Sequence, residues 1–120
     1  MSVYNPVSMI HPPGFDGNSL DRRERLDNVF TALADAHRRQ VVLYFESTDR
    51  SVASVADLVD HTVDSMPEAL PRDRLQLRFH HCALPKLDEL GVIEYDVQNR
   101  EIRYRSSPVV TEVLAAVTES

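Results

Sequence analysis

The chain has 120 residues, with twelve arginines, a single lysine, nineteen acids and a formal net charge of −6. That length suits one hydrophobic core rather than two, and no apolar run approaches the ~20 residues of a membrane span. A lone cysteine, Cys82, excludes an intrachain disulfide and a zinc site built on paired cysteines, and without a basic and apolar leader pattern the expected location is cytoplasmic.

In chain order, residues 1–19 hold Pro6, Pro12, Pro13, Gly14 and Gly17 without an apolar period. They predict a disordered or loosely draped arm ahead of one domain over 20–120. Asp21 and Glu24 make a capping-box-like start, after which Leu26, Val29, Phe30 and Leu33 share one helical face. Asp35 caps a second helix from Ala36 to about Glu46. Val41 to Phe45 alone would equally suit a buried strand, but the capped and charged turn before them favours helix. A short extra strand fits near Ser51 to Ala53. Ser54 and Asp57 then offer a capping pair for a third helix, with Val55, Leu58, Val59 and Val63 on its apolar face.

Pro67 and Pro71 bound a connector from about Asp64 to Arg72. Helical spacing resumes at Leu75, Phe79, Cys82, Leu87 and Leu90, with Cys82 read as a small apolar residue. Pro85 has no N–H for the carbonyl of His81, which predicts a kink. Gly91 is the expected C-cap, with positive φ. Val92 to Asp96 and Glu101 to Arg105 pair across the turn at 97–100, with Ile93, Tyr95, Ile102 and Tyr104 alternating against Glu94, Arg103 and Arg105. Ser107 and Pro108 open a last helix carrying Val110, Val113, Leu114 and Val117. The expected core is Leu26, Phe30, Leu33, Val41, Val42, Phe45, Leu58, Val59, Leu84, Leu87 and Ile93.

Two tracts carry a family resemblance: the helix Leu84-Pro85-Lys86-Leu87-Asp88-Glu89-Leu90 ended by Gly91 and feeding a hairpin, and the stretch from Phe30 through Asp35-Ala36-His37-Arg38-Arg39 to Leu43. Over roughly residues 26 to 118 the chain resembles winged helices of the arsenical-resistance-repressor (ArsR) type, particularly small winged-helix proteins of halophilic archaea. The resemblance implies an α+β winged helix-turn-helix of four to five helices with a two-stranded β-wing. It further implies a transcriptional regulator that binds double-stranded DNA as a homodimer. The connector at 64–72 is about twice the three- or four-residue turn usual for a helix-turn-helix.

The expected DNA contacts are Arg72, Arg74, Gln76, Arg78, His80, His81 and Lys86 on the recognition helix and Arg100, Arg103 and Arg105 on the wing. Arginine and lysine neutralise phosphates or fork onto guanine, and glutamine pairs with an adenine edge. Arg78 is expected to face bases and Arg103 to meet phosphate. Arg38 is a further candidate, reaching the DNA backbone or tying helices together. The last helix either covers its own core or, as the resemblance implies, pairs with the first helix of a second protomer, with dimerisation then expected through Leu26, Val29, Val110, Val113, Leu114 and Val117. Residues 72 to 105 carry seven basic and six acidic side chains, so this segment is the least acidic part of the chain. The overall acidity suits a high-salt cytosol or reflects an arginine-favouring GC-rich genome. It is also consistent with the alternative reading, a winged-helix protein-interaction module without DNA contact.

His80-His81-Cys82 does not form a metal site by itself, because consecutive helical residues point about 100° apart. No cofactor and no metal are expected. Nor is an enzyme, since the sequence holds no nucleophile–base constellation and no phosphate-cradling glycine loop.

Overall fold

In the computed structural model, residues 22–66, 68 and 70–118 are described. The expected arm over 1–19 and Asp21 of the first capping pair lie outside the described residues. The elements run α1 (Arg22–Ala34), α2 (Ala36–Ser47), β1 (Val52–Ser54), α3 (Val55–Ser65), α4 (Arg72–Arg78), a π-helical turn (Phe79–Ala83), α5 (Leu84–Glu89), β2 (Ile93–Asp96), β3 (Glu101–Tyr104) and α6 (Pro108–Thr118). The residues that join α4, the π turn and α5 all keep right-handed helical dihedrals. They form one continuous rod over 72–89, so the fold has five helical rods and a small antiparallel sheet. It is an α+β, winged-helix-like architecture.

Local chemistry places most of these boundaries. The Asp35 carboxylate accepts from the backbone N–H of Arg38 at 3.0 Å and starts α2. Ser54 and Asp57 form a reciprocal capping box at α3, at 3.1 Å in each direction. Ser107 Oγ accepts the Val110 N–H at 3.3 Å, with Pro108 as the first residue of α6. Gly91, at φ +81°, ends α5 as a Schellman cap: its N–H reaches the Asp88 carbonyl while that of Val92 reaches the Leu87 carbonyl, both at 3.0 Å.

The sheet has three strands in the order β1-β3-β2, so the expected hairpin is joined by the short extra strand. Ile93 pairs with Tyr104 and Tyr95 with Ile102, while Ala53 lies across Ile102 on the other side of β3. This register turns Ile93 and Ile102 inward, where both are buried with Leu33, Leu58, Leu75, Phe79, Leu84 and Leu87. Tyr104 stacks on Phe45 with ring centroids 5.0 Å apart, and its hydroxyl donates to Glu46 at 2.7 Å. Burial and the adjacent Glu46 carboxylate push this phenol far above its ordinary range.

Several expectations need correction. Phe30 is 48% exposed rather than in the core, and Leu26 is only partly buried. The connector is shorter than expected, because α3 runs on through Ser65 and leaves residues 66–71. Pro85 is absorbed without ending the helix. The Leu84 N–H bonds to the Phe79 carbonyl five residues back, and this wider turn accommodates a residue that lacks a donor. The extra residue per turn lets Phe79 and Leu84 both face the core, and Ala83 joins them, while Cys82 turns out to solvent. The residues expected to dimerise also pack against one another within the chain. Val29, Val110, Val113 and Leu114 are buried where α1 packs on α6, and Leu26 and Val117 are partly buried against the same core.

Candidate nucleic-acid interface

The rod over 72–89 follows α3 across a six-residue connector and precedes the β2–β3 hairpin, which is the order of a reading helix and its wing. Three straps hold the rod. Arg72 pairs with Asp60 of α3. Arg78 donates through Nε to His37 Nδ1 at 2.8 Å and lies 3.6 Å from the Asp35 carboxylate, both at the start of α2. In the π turn, His80 Nδ1 and the Tyr95 hydroxyl of β2 share a hydrogen bond of 2.5 Å. Burial pushes the Tyr95 phenol up, with Arg100 pulling the other way, so the hydroxyl stays protonated. Asp88 completes this edge by accepting the Tyr95 N–H at 2.9 Å.

These straps decide which side chains are left for a ligand. Arg38 lies on α2, not on this rod. Its Nε and terminal nitrogen donate to the carbonyls of Ala32 and Thr31 at 3.0 and 2.9 Å, and Arg39 donates to Leu33 at 3.0 Å. Together they satisfy carbonyls that the end of α1 leaves without intrahelical partners. Arg38 therefore ties α2 to the end of α1. Arg78, expected to face bases, is turned toward α2. Lys86 pairs with Glu89 one turn on at 3.7 Å, and Arg105 pairs with Glu94.

Among the described residues, Arg74, Gln76, His81, Arg100 and Arg103 carry no side-chain hydrogen bond or ion pair. The first three stand on the outward side of the rod. Arg100 sits at the wing turn with φ +53°, a left-handed position. Its carbonyl accepts the Val55 N–H at 3.2 Å, which fixes the turn against the start of α3. Asp96 shapes the same turn by accepting from the Asn99 amide at 2.8 Å and its N–H at 3.2 Å. Those bonds hold the Asp96 carboxyl below its usual value. Arg103 lies opposite Glu94 in the sheet, in a shallow recess with Asp88, Tyr95, Asp96 and Glu101. Four carboxylates, Asp88, Glu94, Asp96 and Glu101, line the same recess, so a phosphate approaching Arg103 meets opposing charge.

One residue of this face was not singled out from sequence. Leu77 is 59% exposed, although Leu75 and Phe79 beside it are fully buried. The signal was present as a leucine out of phase with the apolar stripe, two residues from Leu75. His37 likewise read as part of a helix start, and only the fold brings Arg78 to it.

Among the described residues, no group of three or more His, Cys, Asp or Glu side chains is arranged to hold a metal ion. No described helix is long and apolar enough to cross a membrane. Comparison with curated proteins and with solved structures finds no match. Residues 30–103, from the middle of α1 to β3, match the family described as a domain of unknown function (DUF7344), and the chain belongs to that family.

Proposed function

We propose that this protein binds double-stranded DNA as a cytoplasmic transcriptional regulator, with α3 as the positioning helix, α4 and the π turn as the reading segment and the β2–β3 turn as the wing. The observation that supports this best is where the uncommitted donors collect. Arg74 and His81 lie on one flank of the rod's outward ridge and Gln76 on the other, where Arg100 stands beside it at the wing turn. Phosphate contacts position such a domain and base contacts give its sequence preference.

Several cations in local ion pairs remain usable. The Arg72–Asp60, Lys86–Glu89 and Arg105–Glu94 pairs are all substantially exposed, and exposed pairs of this kind contribute only about 0 to 1 kcal/mol. Exchanging a carboxylate for a phosphate there costs little. Arg38 and Arg78 are held by several partners each and are assigned to the scaffold. With a net charge of −6, binding depends on local contacts rather than long-range attraction. A two-fold operator would be met by a homodimer, whose contact must lie outside the buried α1–α6 seam.

The competing reading, a protein-interaction module, draws on the acidic recess around Arg103. The test is fluorescence titration of the wild type, Arg74→Ala and Arg103→Ala against duplexes selected from a random pool and scrambled controls, over a range of potassium chloride. Arg74→Ala is expected to lose about 1 to 3 kcal/mol on the selected site and less on scrambled DNA. Arg103→Ala is expected to change little. If the wild type enriches no sequence and binds no duplex at low or high salt, the DNA reading falls and the interaction module takes its place.

A further inference from the structure

Leu77 is the part of the rod that phosphate binding does not explain. It stands on the outer ridge where two grooves meet. One is lined by Val55, Asp73, Gln76, His80 and the wing residue Arg100, the other by Leu70, Arg74, Arg78, His81 and Cys82. Residues three and four apart on a helix are neighbours, so Arg74 and His81 flank Leu77 along its own face. An exposed leucine ringed by unpaired donors is a poor fit to bulk water. Its rim is also a poor fit to an ordinary apolar protein surface, because the two grooves bring the unpaired guanidinium groups of Arg74 and Arg100 to it against a single acid, Asp73. That charge complements a polyanion, and the apolar centre asks for a hydrocarbon group on it.

Resting on the DNA reading above, the geometry points to Leu77 as a thymine reader, packing its side chain on the C5-methyl group in the major groove. Thymine is the only base to present a methyl group there. Gln76 stands beside it and is the residue type whose amide pairs both major-groove atoms of adenine. Neighbouring helical residues point about 100° apart, so Leu77 and Gln76 address adjacent base pairs. The site preference therefore includes an A·T pair whose thymine methyl contacts Leu77. Arg74 and Arg100 lie to either side, where they meet phosphate or guanine.

The experiment uses the full chain and its best selected duplex. Each thymine is replaced in turn by uracil, which removes the methyl and leaves base pairing intact, and wild type and Leu77→Ala are titrated on the series. At one position uracil is expected to weaken the wild type about fourfold, the value of one buried carbon. Leu77→Ala is expected to bind the thymine duplex more weakly and to be indifferent to uracil at that position. Because Leu77 is solvent-exposed, the variant should keep the wild-type unfolding midpoint, which is measured alongside. A selected motif with no uracil effect at any position overturns the thymine assignment while leaving the DNA reading in place. The same holds if Leu77→Ala loses affinity yet keeps the wild-type uracil effect. If Leu77→Ala instead abolishes a self-association seen by sedimentation and leaves DNA titrations unchanged, the residue belongs to a protein contact and the assignment is overturned. Failure of the wild type to bind any duplex removes both readings.

Discussion

At Asp35 the chain turns from α1 into α2 with a single residue between the helices, and five charged or titratable side chains gather there. Asp35 caps α2, Arg38 and Arg39 reach back to the last carbonyls of α1, and Arg78 arrives from α4 to bond His37. Burial tends to raise the Asp35 carboxyl, but the Arg38 N–H and the charges of Arg38, His37 and Arg78 together hold it below its ordinary value. Burial lowers the His37 pKa, Asp35 opposes that and Arg78 adds to it. Protonation of His37 would also remove the nitrogen lone pair that accepts from Arg78. A histidine whose folded pKa lies below its unfolded value of 6.5 contributes stability that is present above that pH and is lost as pH falls through the folded value. His61 is shifted in the same direction, by burial against the pull of Asp64, so the wild type should lose stability between about pH 7 and pH 5. Replacing His37 by glutamine keeps an acceptor for Arg78 and removes one of the two titrations. Urea midpoints taken across this interval should fall less for His37→Gln than for the wild type, and equal slopes would remove His37 from the linkage.

The rod over 72–89 shows how one residue changes the aim of a whole helix. Uniform α spacing from Leu75 and Phe79 leads to Cys82 as the next inward position. Pro85 cannot donate to the His81 carbonyl, and the turn widens so that Leu84 bonds Phe79 instead. The buried set becomes Leu75, Phe79, Ala83, Leu84 and Leu87. Cys82 is exposed and should react with a small thiol reagent in the native protein nearly as fast as in the denatured chain. Protection of the thiol in the native state would mean that the turn is α-helical and that the outward face of the rod, Leu77 included, is differently placed. The disturbance was legible at Pro85. Its form was not, because a kink and a π turn both relieve the missing bond, and the choice rests on Phe79 and Leu84 both finding space in the core.

Across the whole molecule, α1 and α6 come from opposite ends of the described chain and close over one another. Their valines therefore belong to the stability of a single protomer. Val113 is 3% exposed, and an aspartate there would bury an unpaired charge or push the helices apart. The expected cost is at least about 3 kcal/mol, against a total of about 5 to 15 kcal/mol for a domain of this kind. Val113→Asp should lower the urea midpoint strongly or abolish the folded state, as circular dichroism would report. A folded protein with an unchanged midpoint and a smaller sedimentation coefficient would instead return Val113 to an intermolecular surface.

What the sequence determined by itself was local. Asp35, Ser54 with Asp57, Ser107 with Pro108, and Gly91 each act within one turn of backbone, so their side-chain chemistry or tolerance of positive φ marks an element end without reference to the rest of the fold. Alternation at Ile93, Tyr95, Ile102 and Tyr104 likewise settled which side of the hairpin faces the core. Only the tertiary structure decided the fates of the cations and of the outlying apolar residues. Arg38, Arg72 and Arg78 look alike in sequence as candidate DNA contacts, yet one caps α1, one clasps α3 and one bonds His37. Arg74 and Arg100, by contrast, are left free. A guanidinium pairs with whatever acceptor folding brings within about 3 Å, and a neighbour 41 residues away, as His37 is from Arg78, leaves no trace in local spacing. The same long-range packing buried the α1–α6 seam and left Leu77 exposed.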